Sequence, residues 1–532
     1  MKKLVLFTIS ILLIAATAVS QFAGDLDDSF ANAGIATYNF GSSANLTNAK
    51  IQPDDQKIVA VGTAFSTTTF GGDLMAVRLM PDGTFDPTFG VDGKVVYHVN
   101  QESYGYECHI KSDGKILIVG AAANPNYEFA VMLVRLNSDG SLDDTFGSGG
   151  IVQANISNGD DFGYAFIELS NNKIVVAGRI ANGLNQGVPM VMRFNENGSV
   201  DTTFGVNGVA QITVTNTDNQ FRRIAEGPNG SLIACGHYDM GITFEGGINF
   251  DILLYKLNQN GTPDVNFGTN GEVKTAISND QIDDAFDLEI LPSGQILVCG
   301  YSSGPEYDND IVLLRYATNG SLDASFDNDG IASYNLTAYD VGLGMTIQED
   351  NKILICGSIL NTQTSGLDFI VARILTDGTL DYPFGTYGYT ATPVGLQQDD
   401  ANDIVLQEDG KIVVVGKTMT ATNNEIAVAR YHAENVVTVQ ETNASKAYDV
   451  FPNPVSSGQS IQIFNAGNQG SIRQIDILDL AGKVIYTGRP NSLIAGAHST
   501  FTLPVSLTGG MYILNIQNDQ MHSRAIKLQI QN

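Results

Sequence analysis

Leu142-Asp143-Asp144-Thr145-Phe146-Gly147-Ser148-Gly149-Gly150 decides the fold, because versions of it return along most of the chain. Its phenylalanine recurs as Phe30, Phe89, Phe146, Phe204, Phe267, Phe326 and Phe384, a step of 57 to 63 residues. An aspartate stands three positions before each phenylalanine, from Asp27 and Asp86 to Asp381, and a glycine four positions after it, from Gly34 to Gly388. A fixed period of this kind signals a repeat architecture, in which stacked units bury a face that none can bury alone.

Within each repeat the pattern is of strands and turns. In the third, a β-rich run at 162–169 is followed by Asn171-Asn172, a short run at 173–178, a variable loop, a run at 188–194, the Asp201/Phe204/Gly208 corner and a run at 209–213. Alternation, β-branched content and Gly/Asn/Asp punctuation predict strands joined by turns. Second strands ending in glycine occur at Gly62, Gly120, Gly178, Gly236, Gly300, Gly357 and Gly416. The chain begins with a corner and one strand (35–40), and its last repeat has three strands and no corner. The expected fold is therefore all-β: a seven-bladed β-propeller closed by the N-terminal strand, plus a small C-terminal β-sandwich. Closure removes the exposed edge that the alternative, an open solenoid, leaves.

A basic residue precedes each corner aspartate by eight, as in Arg135/Asp143. Arg430 has no aspartate after it and Asp27 no basic residue before it, so the two are expected to meet across the closure. One such pair per repeat suits a structural corner, with the aspartate capping turn N–H groups, the arginine bracing it, and Phe146 and its equivalents buried.

Net charge is −29 and the pI near 4.3, which argues against nucleic-acid binding. Lys2 and Lys3, an apolar run at 4–15 and the small residues Ala16-Thr17-Ala18-Val19-Ser20 read as a signal peptide (1–20), with a retained anchor as the alternative. Cys108, Cys235, Cys299 and Cys356 occupy slots that other repeats fill with core residues, so core packing is expected rather than disulfides or ligation.

The pattern Asp139-Gly140-Ser141-Leu142-Asp143-Asp144-Thr145-Phe146-Gly147 resembles the delta-60 repeat family of secreted bacterial proteins. That resemblance covers about 24–432 and implies a propeller (21–432) but no activity. After a polar stretch read as a linker (433–447), Phe451-Pro452-Asn453-Pro454, Leu480-Ala481-Gly482-Lys483, Leu507-Thr508-Gly509-Gly510-Met511-Tyr512 and a terminal Lys527-Leu528-Gln529-Ile530 resemble the C-terminal sorting domain of type IX secretion substrates in Bacteroidetes (448–532). It implies that Pro452, Asn453, Pro454, Gly482 and Tyr512 belong to a secretion signal read by the type IX machinery. It also implies a protein secreted or held at the outer-membrane surface. An ordinary adhesion module is the alternative.

Function is expected on the face bearing the variable loops between second and third strands. His237, Tyr238 and Phe244 in the longest loop, with Tyr301 and Tyr307 next to it, are ligand-binding candidates for sugar or protein partners. Asp161, Asp283, Asp340 and Asp399 begin successive innermost strands and are metal candidates for Ca²⁺, or else acceptors for their own loops. No metal-ligand spacing, Gly-Xaa-Ser-Xaa-Gly elbow or phosphate loop is present, so no catalytic residue is assigned. Glu107, Glu168, Arg222, Arg223 and Glu289 break the repeat pattern on the channel side. The favoured reading is a non-catalytic binding or interaction module; the alternative is an extracellular hydrolase or lyase acting on carbohydrate.

Overall fold

The computed structural model describes residues 16–65, 71–184, 186–212, 218–242, 248–278, 281–304, 308–363, 366–434, 436–441, 448–465, 472–479, 483–489, 498–518 and 523–531. The chain divides into two compact units, Gly24–Ala433 and a second that joins the residues up to Ala23 to Glu434–Asn532.

The larger unit is an all-β propeller. Its described residues form seven four-stranded antiparallel sheets. The third is typical, running Phe162–Glu168, Ile174–Ala181, Gly187–Phe194 and Val209–Gln211 in spatial order. One sheet draws on both ends of the unit: Ile35–Tyr38 lies antiparallel to Asn424–Tyr431, with Ile35 opposite Ala429 and Tyr38 opposite Ile426. The first strand of each sheet packs against the first strands of the next, and Asp399–Leu406 packs against Ala44–Ile51. Second strands such as Ile116–Ala123 are buried at every position, because both of their faces are covered by neighbouring sheets. The core accordingly lies between sheets. Leu117, Val119 and Phe146 of the second sheet share a cluster with Phe166, Val176 and Met192 of the third. Phe30, Val413 and Val428 share one with Leu46, Ile58 and Met75. All four cysteines are buried and free.

Seven corners hold the rims. In six of them the aspartate accepts from the turn two residues on, as Thr145 N–H (3.1 Å) and Thr145 hydroxyl (2.7 Å) donate to Asp143; at the seventh, Asp381, that position is Pro383, which has no N–H. Arg135 Nε donates to the other carboxylate oxygen of Asp143 at 2.6 Å, while its Nη1 reaches the Glu196 carbonyl of the next sheet at 2.9 Å. The guanidinium lies 4.5 Å above the ring of Phe146, itself fully buried. Arg430 makes the same set: Nε to Asp27 at 2.8 Å, Nη1 to the Pro81 carbonyl, and a face contact at 4.7 Å with Phe30. The cation–ring stack adds an attraction beyond the ion pair. At two corners the first glycine is replaced, and Ala31 and Asp327 both adopt positive φ, at 44° and 43°.

A second cation approaches several of these carboxylates, as Lys115 approaches Asp143 at 3.0 Å and Lys411 approaches Asp27 at 3.3 Å. Burial alone pulls the Asp27 pKa up, but the Ser29 hydroxyl and N–H, Arg430 and Lys411 outweigh it and bring it from 3.8 to about 2. Asp86, Asp143 and Asp201 are lowered further by equivalent partners. A carboxyl depressed in the folded state contributes fully above its unfolded pKa and loses that contribution as pH falls through the folded value. The urea midpoint is therefore expected to fall steeply between about pH 4 and pH 2, with about 2 kcal/mol lost per corner of the Asp27 kind. A profile flat between those values would rule the corners out as the origin of acid lability.

The smaller unit has two sheets. Tyr448–Phe451, Ser460–Asn465 and His498–Thr502 form one; Ile472–Leu478, Val484–Gly488, Gly510–Asn518 and Ser523–Gln531 lie in the other. Ile461, Ile463, Ile475, Ile477, Leu514, Ile516 and Leu528 are its core. The stretch read as linker contains a strand, Val436–Glu441. Its partner is Ala16–Gln21, which spans the expected cleavage site and also meets Ser523–Gln531 through Ala18 and Ala525.

Candidate functional site on the bulged inner strands

The second strands run three or more residues past the glycines expected to end them, and each of these glycines, now inside its strand, determines what the inner strands present. A Cβ on Gly178 would lie 1.9 Å from the Phe162 carbonyl oxygen, and the other six glycines meet the same contact at 1.8 to 2.1 Å. Only glycine allows so close an approach. Directly after it the register slips by one residue, at Thr47, Tyr106, Tyr164, Arg222, Phe286, Leu343 and Asn402. A bulge re-aims side chains. Here it leaves Arg222 and Arg223, adjacent in sequence, both only partly buried on the inner strand.

In four of the seven sheets the residue after the bulge is charged (Glu107, Arg223, Asp287 and Asp403), and with Asn48 these form a polar layer. Asn48 accepts from Cys108 N–H of the next sheet (3.1 Å), Glu107 from Phe166 N–H (2.8 Å), Asp287 from Met345 N–H (2.7 Å) and Asp403 from Ala49 N–H (2.8 Å). These bonds tie neighbouring inner strands together. Arg223 occupies their centre, with Asp287 at 2.6 Å, Glu107 at 2.9 Å and Asp403 at 3.8 Å, so one guanidinium joins four sheets. Lys50 is held protonated, since the Asp403 and Glu107 charges outweigh burial. Glu289 is the exception: burial first, then the Asp287 charge, raise its pKa from 4.5 to about 7. A carboxyl raised in this way favours the fold while protonated and disfavours it once ionised. Stability is thus expected to decline between pH 4.5 and 7, and Glu289→Gln to abolish that decline in pH-dependent urea unfolding; an unchanged slope in the variant would refute the assignment. Glu168 instead pairs with Lys111 and lies 3.7 Å from His109.

Toward the variable loops, the inner strands carry rings and Arg222, and the second strand of the third sheet carries Arg179. Tyr104 and Tyr106 stack at 6.4 Å, Tyr106 meets Tyr164 at 5.3 Å, and Phe162 and Tyr164 stack at 5.8 Å with planes 2° apart. Arg179 lies 5.0 Å above Phe162 and Arg222 4.2 Å above Phe286. Asp284 holds Arg222 through Nε (3.2 Å) and Nη2 (2.8 Å) and also meets His237 Nδ1 at 3.1 Å. The His237 ring is covered by Phe250 at 4.2 Å, nearly parallel. This chain of contacts fixes Arg222 rather than exposing the histidine, which is 5 % accessible.

Of the ligand candidates, His237 is therefore a positioning residue, Tyr301 packs against Phe286 at 5.8 Å, and Tyr238 lies beneath Lys274 at 3.3 Å. Phe244 and Tyr307 lie outside the described residues, as does Gly482. Asp161, Asp283, Asp340 and Asp399 are fully buried and bonded to their own loops; Asp161 accepts from Ile156 N–H and Ser157 N–H at 2.7 and 2.8 Å. Asp283, Asp340 and Asp399 repeat this pattern. The ring of free oxygens that Ca²⁺ requires is not what they form, and among the described residues no group of three or more acidic, histidine or cysteine side chains is placed to hold a metal ion. Tyr512 donates its hydroxyl to the Thr508 carbonyl at 2.9 Å, and Asn453 Oδ1 accepts from Gln529 N–H at 2.9 Å. Pro452 and Pro454 both follow cis peptide bonds. Two cavities of about 660 and 750 Å³ lie elsewhere, lined by Phe40, Lys94 and Tyr97 and by Asp55, Gln407 and Arg430. Lys50, Asp287, Asp403, Tyr104, Tyr106, Phe162 and Arg179 were not singled out by the sequence; aligning the strands on the glycine-bulge position exposes the first three.

The family described as "Domain of unknown function (DUF5122) beta-propeller" matches residues 52–89, 111–146, 169–204, 291–326, 348–384 and 407–434. A "Secretion system C-terminal sorting domain" matches residues 449–531. The chain carries DUF5122 β-propeller repeats and a C-terminal type IX sorting domain. The sorting domain makes the DUF5122 propeller a secreted, cell-surface protein and addresses it to the type IX secretion machinery. No curated protein matches it. Among solved structures it is similar to PorZ, a surface component of the type-IX secretion system of Porphyromonas gingivalis, at 11% identity and TM-score 0.25, over 93% of this chain and 82% of that one. An ulvan lyase of family PL25 gives 10% identity and TM-score 0.41 over 76% and 98%. The β-propeller domain of the Trilobed protease from Pyrococcus furiosus gives 11% and 0.36 over 75% and 96%.

Proposed function

We propose that the DUF5122 propeller is a closed, seven-bladed, non-catalytic binding module exported behind a signal peptide (1–20) and displayed at the cell surface. The closure reading rests on Ile35–Tyr38 completing the sheet of Asn424–Tyr431 and on the Arg430–Asp27 pair. The binding reading rests on one observation: half-buried tyrosine and phenylalanine faces gathered on neighbouring inner strands toward the variable loops, with Arg179 and Arg222 among them. Aromatic walls with a few placed polar groups are the usual make-up of a ligand site. Carbohydrate or protein partners both suit such a surface.

The full chain, screened against glycan and peptide arrays, is expected to bind selectively, and Tyr106→Ala with Tyr164→Ala to abolish that binding without altering the melting temperature. Binding that survives both substitutions would remove the inner-strand site from the reading. A lyase or hydrolase is the second reading, favoured by the His237–Asp284–Arg222 set. It requires the histidine to emerge from beneath Phe250, and product formation from any bound glycan is its test.

A further inference from the structure

Cations are scarce in this chain. It has 28 lysines and arginines against 57 acidic residues, and twelve of the cations pair with corner aspartates. Two arginines stand apart from that use and lie together with the aromatic rings. Asp284 takes only Nε and Nη2 of Arg222, and its Nη1 has no hydrogen-bond partner among the described residues. Arg179 gives one Nη1 bond to Asp218, a residue whose side chain is 55% exposed, while its buried Nε has no partner. A buried donor left unpaired is costly unless something supplies an acceptor. Both side chains remain accessible, at 21% and 27%. Burial raises the Tyr164 hydroxyl pKa, and the Arg179 and Arg222 charges act against it, so both guanidinium groups lie near that hydroxyl.

We infer that this site takes an acidic polysaccharide, with carboxylate- or sulfate-bearing sugars laid across Tyr104, Tyr106, Phe162 and Tyr164 and their anionic groups received by Arg179 and Arg222. This deepens the binding reading above and rests on it. The ring faces form a succession over two neighbouring strands, which suits a chain of sugar rings better than a single small anion. The planar guanidinium fork matches a carboxylate or sulfate edge, and stacking on Phe162 and Phe286 holds each fork in place before the ligand arrives. The overall negative charge of the protein repels acidic chains elsewhere on its surface, so binding is confined to this locus and weakens as salt rises.

The test is calorimetric titration of the full chain with an oligogalacturonate, a sulfated chondroitin oligosaccharide and a neutral oligosaccharide, at two salt concentrations. One or both acidic probes are expected to bind with marked salt dependence, and the pair distinguishes carboxylate from sulfate. Arg179→Gln and Arg222→Gln are each expected to weaken that binding about ten- to a hundredfold. Arg222→Gln disturbs the buried Asp284, so Arg179→Gln, whose partner is solvent-exposed, is the variant expected to melt as wild type does. Equal binding of the neutral probe, no effect of Arg179→Gln, or no binding by either acidic probe would overturn the inference. Neutral binding lost in Tyr106→Ala would still uphold the binding module. Breakdown of a bound acidic probe would uphold the ligand class and remove the non-catalytic reading.

Discussion

Arg223→Ala is expected to destabilise the propeller by about 3–5 kcal/mol, the cost of breaking a buried ionic cluster by removing one partner. Glu107, Asp287 and Asp403 then face one another with Lys50 as the remaining cation near them. The loss reaches beyond one ion pair, because those carboxylates also hold N–H groups of Phe166, Met345 and Ala49 on neighbouring strands. Chemical unfolding of the variant gives the magnitude. Combining it with Glu107→Gln is expected to recover part of the loss, since the leftover charge is what costs most. A change below about 1 kcal/mol, the level of an exposed pair, would mean that water already screens the cluster.

The second large effect concerns the corner where the two ends of the propeller meet. Arg430→Ala removes the bonds to Asp27 and to the Pro81 carbonyl and the stack on Phe30, with an expected loss of about 3–5 kcal/mol. Arg135→Ala deletes the same contacts at an internal corner, where the chain itself still connects the strands. At Arg430 nothing covalent joins Asn424–Tyr431 to Ile35–Tyr38 nearby in sequence. Amide hydrogen exchange is therefore expected to rise in both of those strands for Arg430→Ala, and to stay confined to one corner for Arg135→Ala. Identical exchange patterns would mean that the end sheet is no weaker than the others.

Repeats are legible in a sequence because their requirements are local. Phe146, Asp143, Gly150 and Arg135 lie within sixteen residues of one another, and each answers a need of one turn: a buried ring, a cap, a positive φ and a brace. The pairing of Arg430 with Asp27 was readable for a related reason, since a repeat missing one half at each end points to its own completion. The stack of each arginine on its corner phenylalanine was not readable, because spacing tells which residues are near and not which faces meet. The Ca²⁺ candidates went the other way. The aligned aspartates were visible, but their oxygens answer loop N–H groups that lie only four to six residues away.

What the sequence by itself determined is the repeat, its strands and corners, the sorting domain and the surface address, all carried by short-range pattern. What only the tertiary structure decided is the inner face. Glu107, Arg223, Asp287 and Asp403 come from four repeats and are up to 296 residues apart, so no local pattern links them. Their meeting depends on the glycine-forced bulge, which turns two successive residues out of strand alternation, and on the sequential packing of inner strands, which brings one such residue from each of four sheets to a common centre.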